Sequence, residues 1–367
     1  MSKASRTAIQ RRRSRTVSLG PVGVGGEHPV RVQSMTNTDT RDVQATVRQI
    51  RSLAEAGCEI VRVAVPDADA AGSLAAIKEQ SPVPVVADIH FDYRLALASV
   101  ESGVDGLRIN PGNIGSSRRV DQVVDAAAGA GIPIRIGVNS GSVEKALLRR
   151  FNGPTPQAMV ESALRHVRIL ERRGFERIKV SLKSSSVPDT VRAYRLLAER
   201  TDYPLHIGIT EAGTLLRGGV KSGVGLGILL WEGLGDTMRV SLTGDPLNEV
   251  LVAWEILRSL DLRHRGPVII SCPTCGRTEI DLEGLARAVE TRLMEVPDVF
   301  TVAVMGCEVN GPGEAREADI GLAGGRNRGV VFRKGRVVRK IAGNDLVAGF
   351  LEELDRFLDE QRNQAER

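Results

Sequence analysis

Eight short apolar runs alternate with longer segments of helical periodicity over the first two thirds of the chain. The runs lie at residues 30–34, 60–65, 83–89, 106–109, 132–138, 177–182, 205–210 and 238–242. The segments between them, for example 43–56 and 155–173, carry their charges on one face. Strands joined by helices pair in parallel, and eight of them close a (β/α)8 barrel, the α/β fold that we predict. An open doubly wound sheet is the alternative, but no glycine-rich fingerprint follows the first strand.

A second domain follows the barrel. The chain has 367 residues, more than one hydrophobic core usually supports. A charged stretch that ends in Gly266 and Pro267 indicates a boundary near His264. We therefore predict a lead-in over 1–28, a TIM-barrel substrate domain over 29–263, and an α+β domain over 264–367. The expected elements of the last domain are strands at 268–271, 300–305 and 318–322, helices at 282–294 and 345–360, and a hairpin at 334–335.

The N-terminal segment is rich in arginine and serine. Arg11, Arg12 and Arg13 resemble a targeting signal, but a glycine cluster follows them where an apolar segment would be needed. We expect a solvated basic tail up to Ser18. No run of about 18 apolar residues is available to cross a membrane. Four cysteines that cluster, without pairing along the chain, indicate a reducing compartment, so we expect the cytoplasm.

Three of the four cysteines form a compact set. Cys272 and Cys275 make a C-x-x-C motif, and Cys307 follows 32 residues after Cys275, before a Gly-rich turn that ends at Glu314. Structural zinc needs four sulfur or imidazole ligands, and no histidine lies between Cys272 and Glu314. A [4Fe-4S] cluster accepts three thiolates and a weaker oxygen ligand such as Glu314. Zinc remains the alternative on these residues alone, and a dithiol redox motif would leave Cys307 without a role.

Polar and cationic residues stand at or near the ends of the predicted strands, where the active site of a barrel lies. Arginine on an apolar strand is costly unless an anion pairs with it. The predicted substrate ligands are Arg62, Arg108, Asn110, Arg135, Asn139, Lys183, His206 and Ser241. These cations favour a diphosphate. The alternative is internal pairing with Asp88 and Glu211.

Glu211 is the predicted proton donor, because it places a carboxylate at the end of the barrel where the cationic residues lie. His90 and His206 are more typical of structural histidines near strand ends. Cys58 precedes the second strand, at the opposite rim of the barrel, where a residue serves packing. We therefore do not expect Cys58 to reach a metal centre.

The formal net charge is +5 and the sequence pI is about 9.2. Nucleic acid is not the expected partner, because aromatic residues make up only 3% of the chain and offer few surfaces for stacking bases. Two other classes remain open. One is a redox carrier whose barrel is a scaffold, and the other is a zinc protein that binds nucleic acid.

Several unusual motifs occur together in one order. They are VQSMTNTDT, ADIHFDYRLA, LRINPGNIG, IRIGVNSGS, HIGITEAG, RVSLTGDP, CPTC and GCEVNGPGEA. From about Val30 to the C-terminal helix, the chain resembles the bacterial 4-hydroxy-3-methylbut-2-enyl diphosphate synthases. These are iron-sulfur enzymes of the methylerythritol phosphate route to isoprenoids.

The resemblance implies a specific chemistry. The substrate would be 2-C-methyl-D-erythritol 2,4-cyclodiphosphate, opened reductively with loss of water. A [4Fe-4S] cluster on Cys272, Cys275 and Cys307, with Glu314 as a labile ligand, would deliver two electrons from flavodoxin or ferredoxin. Glu211 and Glu314 would act in catalysis. The enzyme would be a head-to-tail homodimer in which each cluster domain serves the barrel of its partner.

Overall fold

The computed structural model describes residues 9–294, 296–307, 317–326 and 328–365. The chain divides into two compact units, Met1–Arg263 and His264–Arg367. We describe each unit by itself.

The N-terminal segment differs from the predicted solvated tail. A hairpin of β1 (Val17–Leu19) and β2 (Val22–Val24) packs with Ile60 and Val86 of the barrel. Arg12 donates hydrogen bonds of 2.6 Å to the carbonyl oxygens of Thr201 and Tyr203. The expectation of a solvated tail was wrong over the described residues, because Arg11 and Arg12 donate to backbone carbonyls and Arg11 also pairs with the carboxylate of Asp236.

Eight parallel strands form the barrel. They are β3 (Arg31–Met35), β4 (Ile60–Ala64), β5 (Val85–Asp88), β6 (Gly106–Ile109), β7 (Ile134–Asn139), β8 (Ile178–Lys183), β9 (His206–Ile207) and β10 (Thr237–Met238). The order is β8-β7-β6-β5-β4-β3-β10-β9, and a parallel bridge from Val180 to Leu205 joins the two ends. The predicted (β/α)8 barrel is therefore confirmed.

Helices connect the strands and cover the barrel. They are α1 (Val43–Glu55), α2 (Ala68–Gln80), α3 (Tyr93–Glu101), α4 (Pro111–Ile114), α5 (Ser117–Gly129), α6 (Lys145–Arg150), α7 (Pro156–Glu171), α8 (Val187–Ala198), α9 (Leu215–Trp231) and α10 (Pro246–Ser259), with a 3-10 turn at Ser140–Ser142. Helix α1 shows why these segments fold so. Asp42 caps its first turn by accepting from the backbone N–H of Ala45, and Val47, Ile50 and Leu53 bury one face.

The strands separate apolar from polar side chains by alternation. In β7, Ile134, Ile136 and Val138 belong to the main hydrophobic core of the barrel unit, whereas Arg135 and Asn139 line a cavity. Residues that alternate along a strand point to opposite faces. One face of β7 thus stabilises the fold and the other builds the site.

The second unit is α+β. Its elements are β11 (Val268–Ser271), α11 (Leu282–Leu293), β12 (Thr301–Met305), β13 (Ile320–Gly325), β14 (Arg328–Arg333), β15 (Arg336–Ala342), a 3-10 turn at Gly343–Asp345 and α12 (Leu346–Ala365). The sheet has the order β11-β12-β13-β14-β15, with the first three strands parallel and the last two antiparallel. The predicted hairpin at Lys334 and Gly335 is present. Both residues have positive φ, as a two-residue hairpin turn requires.

Candidate active site

Charged residues lie side by side on four neighbouring strands. The parallel register pairs Asp88 on β5 with Arg108 on β6, Arg108 with Arg135 on β7, and Arg135 with Lys179 on β8. All four are buried. A row of three cations beside one carboxylate carries excess positive charge inside the barrel.

A cavity of about 240 Å³ opens among these strands, and we call it the cation cavity. Its cationic residues are Arg62, Arg108, Arg135, Lys183 and Arg239. Its other residues are Met35, Asp88, His90, Asn139, Ser181, Thr210 and Ser241. Within the described residues the lining thus has five cations and one carboxylate. Such a cavity attracts small polyanions.

Asp88 is the ion-pair partner of two of these arginines. Its oxygens lie 3.1 Å from Arg108 Nη1 and 3.6 Å from Arg62 Nε, and 3.5 Å from His90 Nε2. Burial alone would raise the pKa of Asp88, but Arg62, His90 and Arg108 outweigh it and keep that pKa far below its usual range. The alternative of internal ion pairing therefore holds for Asp88. It does not extend to Glu211, which has no ion pair among the described residues.

Arg135 and Lys183 have no such partner within the described part of the chain. Arg135 is 3% exposed, and its Nε and Nη1 make no hydrogen bond there. Lys183 is 6% exposed. Burial, and then repulsion from neighbouring arginines, lowers the pKa of both groups well below their ordinary values. Two buried cations without ion-pair partners are costly, and a bound anion would reduce that cost.

Arg239 is fixed by a carboxylate from outside the strands. Glu249 on α10 accepts from its Nε at 3.0 Å and its Nη2 at 2.9 Å. The same carboxylate accepts from Ser34 Oγ at 2.8 Å and from the backbone N–H of Leu242 at 3.1 Å. This network joins β3, β10 and α10, and it holds the guanidinium in one orientation at the cavity wall.

Two glycines leave room for the cations. A Cβ on Gly137 would lie 2.6 Å from Arg108 Nε, and one on Gly208 would lie 2.7 Å from Lys183 Nζ. Neither distance is possible without displacing the charged group. Glycine at these positions is therefore a requirement of the site and not of a turn.

The structure places the remaining predicted residues of the barrel outside the lining. His206 is fully buried, with Nδ1 2.9 Å from Thr237 Oγ1, and burial, Arg135 and Lys183 lower its pKa well below its ordinary value. Asn110 caps α4, accepting from the N–H of Gly112 at 3.1 Å. Glu211 is exposed, with φ of 53°, directly after the lining residue Thr210.

Two of the cysteines lie near the carboxyl edge of two neighbouring strands. Cys272 directly follows β11, and Cys307 lies two residues beyond β12, its parallel neighbour. Cys275 is on the exposed turn that follows Cys272. We call these three residues the cysteine edge. Parallel strands bring their carboxyl ends together, so the fold places the thiols of Cys272 and Cys307 at the same edge of the sheet.

The surroundings of the cysteine edge suit thiolates. The backbone N–H of Gly306 donates to Cys272 Sγ at 3.2 Å. The backbone N–H of Arg277 is the main cause that lowers the pKa of Cys275, with smaller help from Thr278. Thr278 Oγ1 also accepts from the backbone N–H of Cys275 at 3.0 Å. Donors around sulfur are what an iron-sulfur ligand set requires.

No group of three or more Cys, His, Asp or Glu side chains in the described residues is arranged around a single metal ion. Each cysteine of a [4Fe-4S] cluster binds a different iron, so such a cluster does not require three ligands around one ion. The predicted ligand Glu314 lies outside the described residues.

Family models match both units of the chain. The GcpE TIM-barrel domain matches residues 14–254, and the GcpE protein C-terminal domain matches residues 268–356. The chain belongs to the GcpE family. The resemblance in the sequence is thus confirmed.

Full-length relatives agree with the family models. A 4-hydroxy-3-methylbut-2-en-1-yl diphosphate synthase (flavodoxin) of Maridesulfovibrio salexigens is 67% identical, over 97% of this chain and all of the relative. Those of Nitratidesulfovibrio vulgaris and Geobacter sulfurreducens are 64% and 61% identical, over 96% and 95% of this chain and 92% and 99% of the relatives.

Six predicted substrate ligands come together in the cation cavity of this GcpE chain. They are Arg62, Arg108, Arg135, Asn139, Lys183 and Ser241. The predicted set did not include Met35, Ser181 or the Arg239–Glu249 pair. Arg239 lies in the last predicted strand, so its place was available from the sequence, whereas the pairing with Glu249 depends on tertiary contacts.

Cys58 does not line the cation cavity. It is buried, and its Sγ donates to the carbonyl oxygen of Ile60 at 3.1 Å. Burial raises its pKa to about 12. A thiol so protonated is inert and serves packing. Among the described helices, none is long and apolar enough to cross a membrane.

Proposed function

We propose that this chain converts 2-C-methyl-D-erythritol 2,4-cyclodiphosphate to 4-hydroxy-3-methylbut-2-enyl diphosphate and water, in isoprenoid biosynthesis. The observation that carries the proposal is the cation cavity, whose Arg135 and Lys183 are buried and form no ion pair with the described residues. Relatives more than 60% identical carry the name of this synthase. The reaction breaks two C–O bonds, consumes two electrons and one proton, and releases water.

The cation cavity binds the diphosphate. Arg62, Arg108, Arg135 and Lys183 supply charge-assisted hydrogen bonds, and Asn139 and Ser241 supply neutral donors. Because one phosphate oxygen is also the leaving group at carbon, the same cations stabilise the charge that develops as the ring opens. Asn110 and His206 lie outside the cavity lining and support it from there. The amide nitrogen of Asn110 and Nε2 of His206 have no hydrogen-bond partner in the described chain.

Cys272, Cys275 and Cys307 are the residues that would hold a [4Fe-4S] cluster, with Glu314 as the fourth, labile ligand. Such a cluster supplies the two electrons one at a time. The electron donor is flavodoxin, as in the names of the relatives, or ferredoxin.

Glu211 donates the proton that turns the departing hydroxyl into water. Its positive φ is uncommon for a residue other than glycine, and Glu211 directly follows Thr210 of the cavity lining. An exposed carboxylate exchanges protons with solvent, so it can be recharged after each turnover.

The enzyme works in the cytoplasm as a head-to-tail homodimer. Helix α9 offers a surface for association, because Leu216, Val220, Val224 and Ile228 recur every fourth residue and are exposed, up to 78% for Leu216. Gly219, Gly223 and Gly227 have open space above them. Contiguous exposed apolar faces mark association sites. In a two-fold dimer such a face packs against the same face of the second copy. A Val224→Glu variant should sediment as a monomer. A dimer unaffected by this change would place the interface elsewhere.

Anaerobic purification with an absorption spectrum, iron and sulfide analysis and a turnover assay tests the proposal. We expect a brown protein with four irons per chain that opens the cyclodiphosphate when reduced flavodoxin is added. A colourless zinc protein, or a brown protein that does not bind the cyclodiphosphate, would contradict the proposed function.

A further inference from the structure

A thioether lies between two guanidinium groups at the wall of the cation cavity. Met35 Sδ accepts from Arg62 Nη2 at 2.9 Å and from Arg62 Nε at 3.2 Å. The same sulfur lies 3.8 Å from Arg239 Nη1. Sulfur of methionine is a weak, polarisable acceptor, so this arrangement has an electrostatic basis as well as a steric one.

Each of these two arginines contacts one carboxylate, and both contact the sulfur of Met35. Arg62 faces Asp88 at 3.6 Å, and Arg239 is bound by both oxygens of Glu249. Glu249 therefore fixes one edge of Arg239, and Met35 lies against another. Arg62 has a weaker carboxylate contact, so the sulfur is its closest acceptor in the described chain.

A neutral acceptor has a specific advantage at this place. A carboxylate between Arg62 and Arg239 would neutralise them and compete with an anionic ligand. A purely apolar side chain would leave the N–H groups of Arg62 without an acceptor, and burial already lowers the pKa of Arg62 to about 10. The thioether of Met35 keeps Arg62 and Arg239 apart and holds their orientation. It leaves both positive charges available to an anionic ligand.

We propose that Met35 is a positioning residue that orients Arg62 and Arg239 for the diphosphate of the substrate. This inference rests on the proposed function, because it assumes that the cavity binds that diphosphate. It adds Arg239 to the cations that contact the ligand, and it gives a role to a residue without charge or acid-base chemistry.

The test compares Met35→Leu with Met238→Leu in the full-length, anaerobically prepared enzyme. Met238 is a fully buried methionine of β10 that makes no hydrogen bond through its sulfur in the described chain. The probes are inorganic pyrophosphate, by calorimetry, and the cyclodiphosphate, by KM and kcat. A third variant, Met35→Gln, restores an acceptor.

We expect Met35→Leu to weaken pyrophosphate binding and raise KM by roughly tenfold, the effect of losing one hydrogen bond to a charged group. The value of kcat and the cluster spectrum should change little, and Met35→Gln should recover most of the affinity. Met238→Leu should leave both affinities unchanged.

Equal affinities for wild type, Met35→Leu and Met35→Gln would overturn the inference, as would equal losses in Met35→Leu and Met238→Leu. If Met35→Leu fails to fold, the Met35→Gln variant decides: a tenfold loss of affinity with an unchanged melting temperature would also contradict the role of an acceptor. A wild-type enzyme that binds neither probe would instead refute the proposed function.

Discussion

The cation cavity and the cysteine edge are built in opposite ways. The cavity stands on barrel strands, its charged groups are buried or, for Arg239, partly buried, and Asp88 and Glu249 fix several of them before any ligand arrives. The cysteine edge lies on turns, and its Cys275 is exposed. A site on strands is preorganised, whereas thiols on turns depend on the bound metal to fix their geometry. The two sites should therefore fail independently when they are mutated.

Loss of a cluster ligand should have the largest effect. Cys307→Ser should abolish both the brown colour and turnover, because serine is a poor ligand for iron in a sulfide cube. Pyrophosphate binding to the barrel, followed by calorimetry, should persist. An active, colourless Cys307→Ser enzyme would refute the cluster role. Loss of pyrophosphate binding would show that the two sites are not independent.

Removal of an unpaired buried cation should come next. Arg135→Met should lower kcat/KM by about 100-fold to 1000-fold, because the leaving diphosphate loses a charged donor. The free energy of unfolding should rise by about 1 kcal/mol, since a buried charge without a described partner is removed. Arg173→Met is the control, because Arg173 forms an exposed ion pair with Asp125 at 2.8 Å. An Arg135→Met enzyme with normal turnover would exclude Arg135 from the site.

The pH dependence of binding should reveal Lys183. Its pKa in the free enzyme is lowered by burial and by Arg135, and the bound diphosphate raises it. Below the pKa of the free enzyme the lysine is already charged. Above it, binding must take up a proton, so affinity should fall by up to about tenfold per pH unit.

Calorimetry with the cyclodiphosphate, in buffers of different ionisation enthalpy, measures this proton uptake directly. Lys183→Met should bind more weakly at every pH and with less uptake. Lys179, whose pKa burial and Arg135 lower to about 7, is a second source, so Lys179→Met serves as the comparison. Identical uptake in wild type and Lys183→Met would rule out Lys183 as the titrating group.

The smallest effect should follow a change at Cys58, a packed thiol that does not line the cation cavity. Cys58→Ala should keep the colour, the iron content and kcat/KM, and it should lower the free energy of unfolding by about 1 kcal/mol through lost packing. Chemical denaturation measures the loss. A change in iron content would mean that Cys58 contributes to the metal centre.

The sequence predicted the barrel because alternation is a local signal. Strands β6 and β11 begin and end where the pattern placed them, and Arg135 is flanked by apolar neighbours that identify it as an inward cation on β7. The N-terminal hairpin was missed although Val17, Leu19, Val22 and Val24 flank a Gly-Pro turn. The arginines before it obscured that signal, because their partners lie about 190 residues or more away in the sequence.

Contacts between distant elements account for the other differences. Glu249 reaches Arg239 and Ser34 only because closure of the barrel sets β10 beside β3. The contact of Met35 with Arg62 likewise depends on the register of β3 against β4. His206 was predicted to bind substrate from its place near a strand end. It is fully buried and does not line the cation cavity.

The most direct test is a calorimetric titration of the cyclodiphosphate into an Arg135→Met, Lys183→Met double variant that retains its cluster. Our account predicts that the wild type binds and that the double variant, with an unchanged absorption spectrum, shows no measurable binding. Binding as tight as in the wild type would mean that the diphosphate is recognised somewhere other than in the barrel.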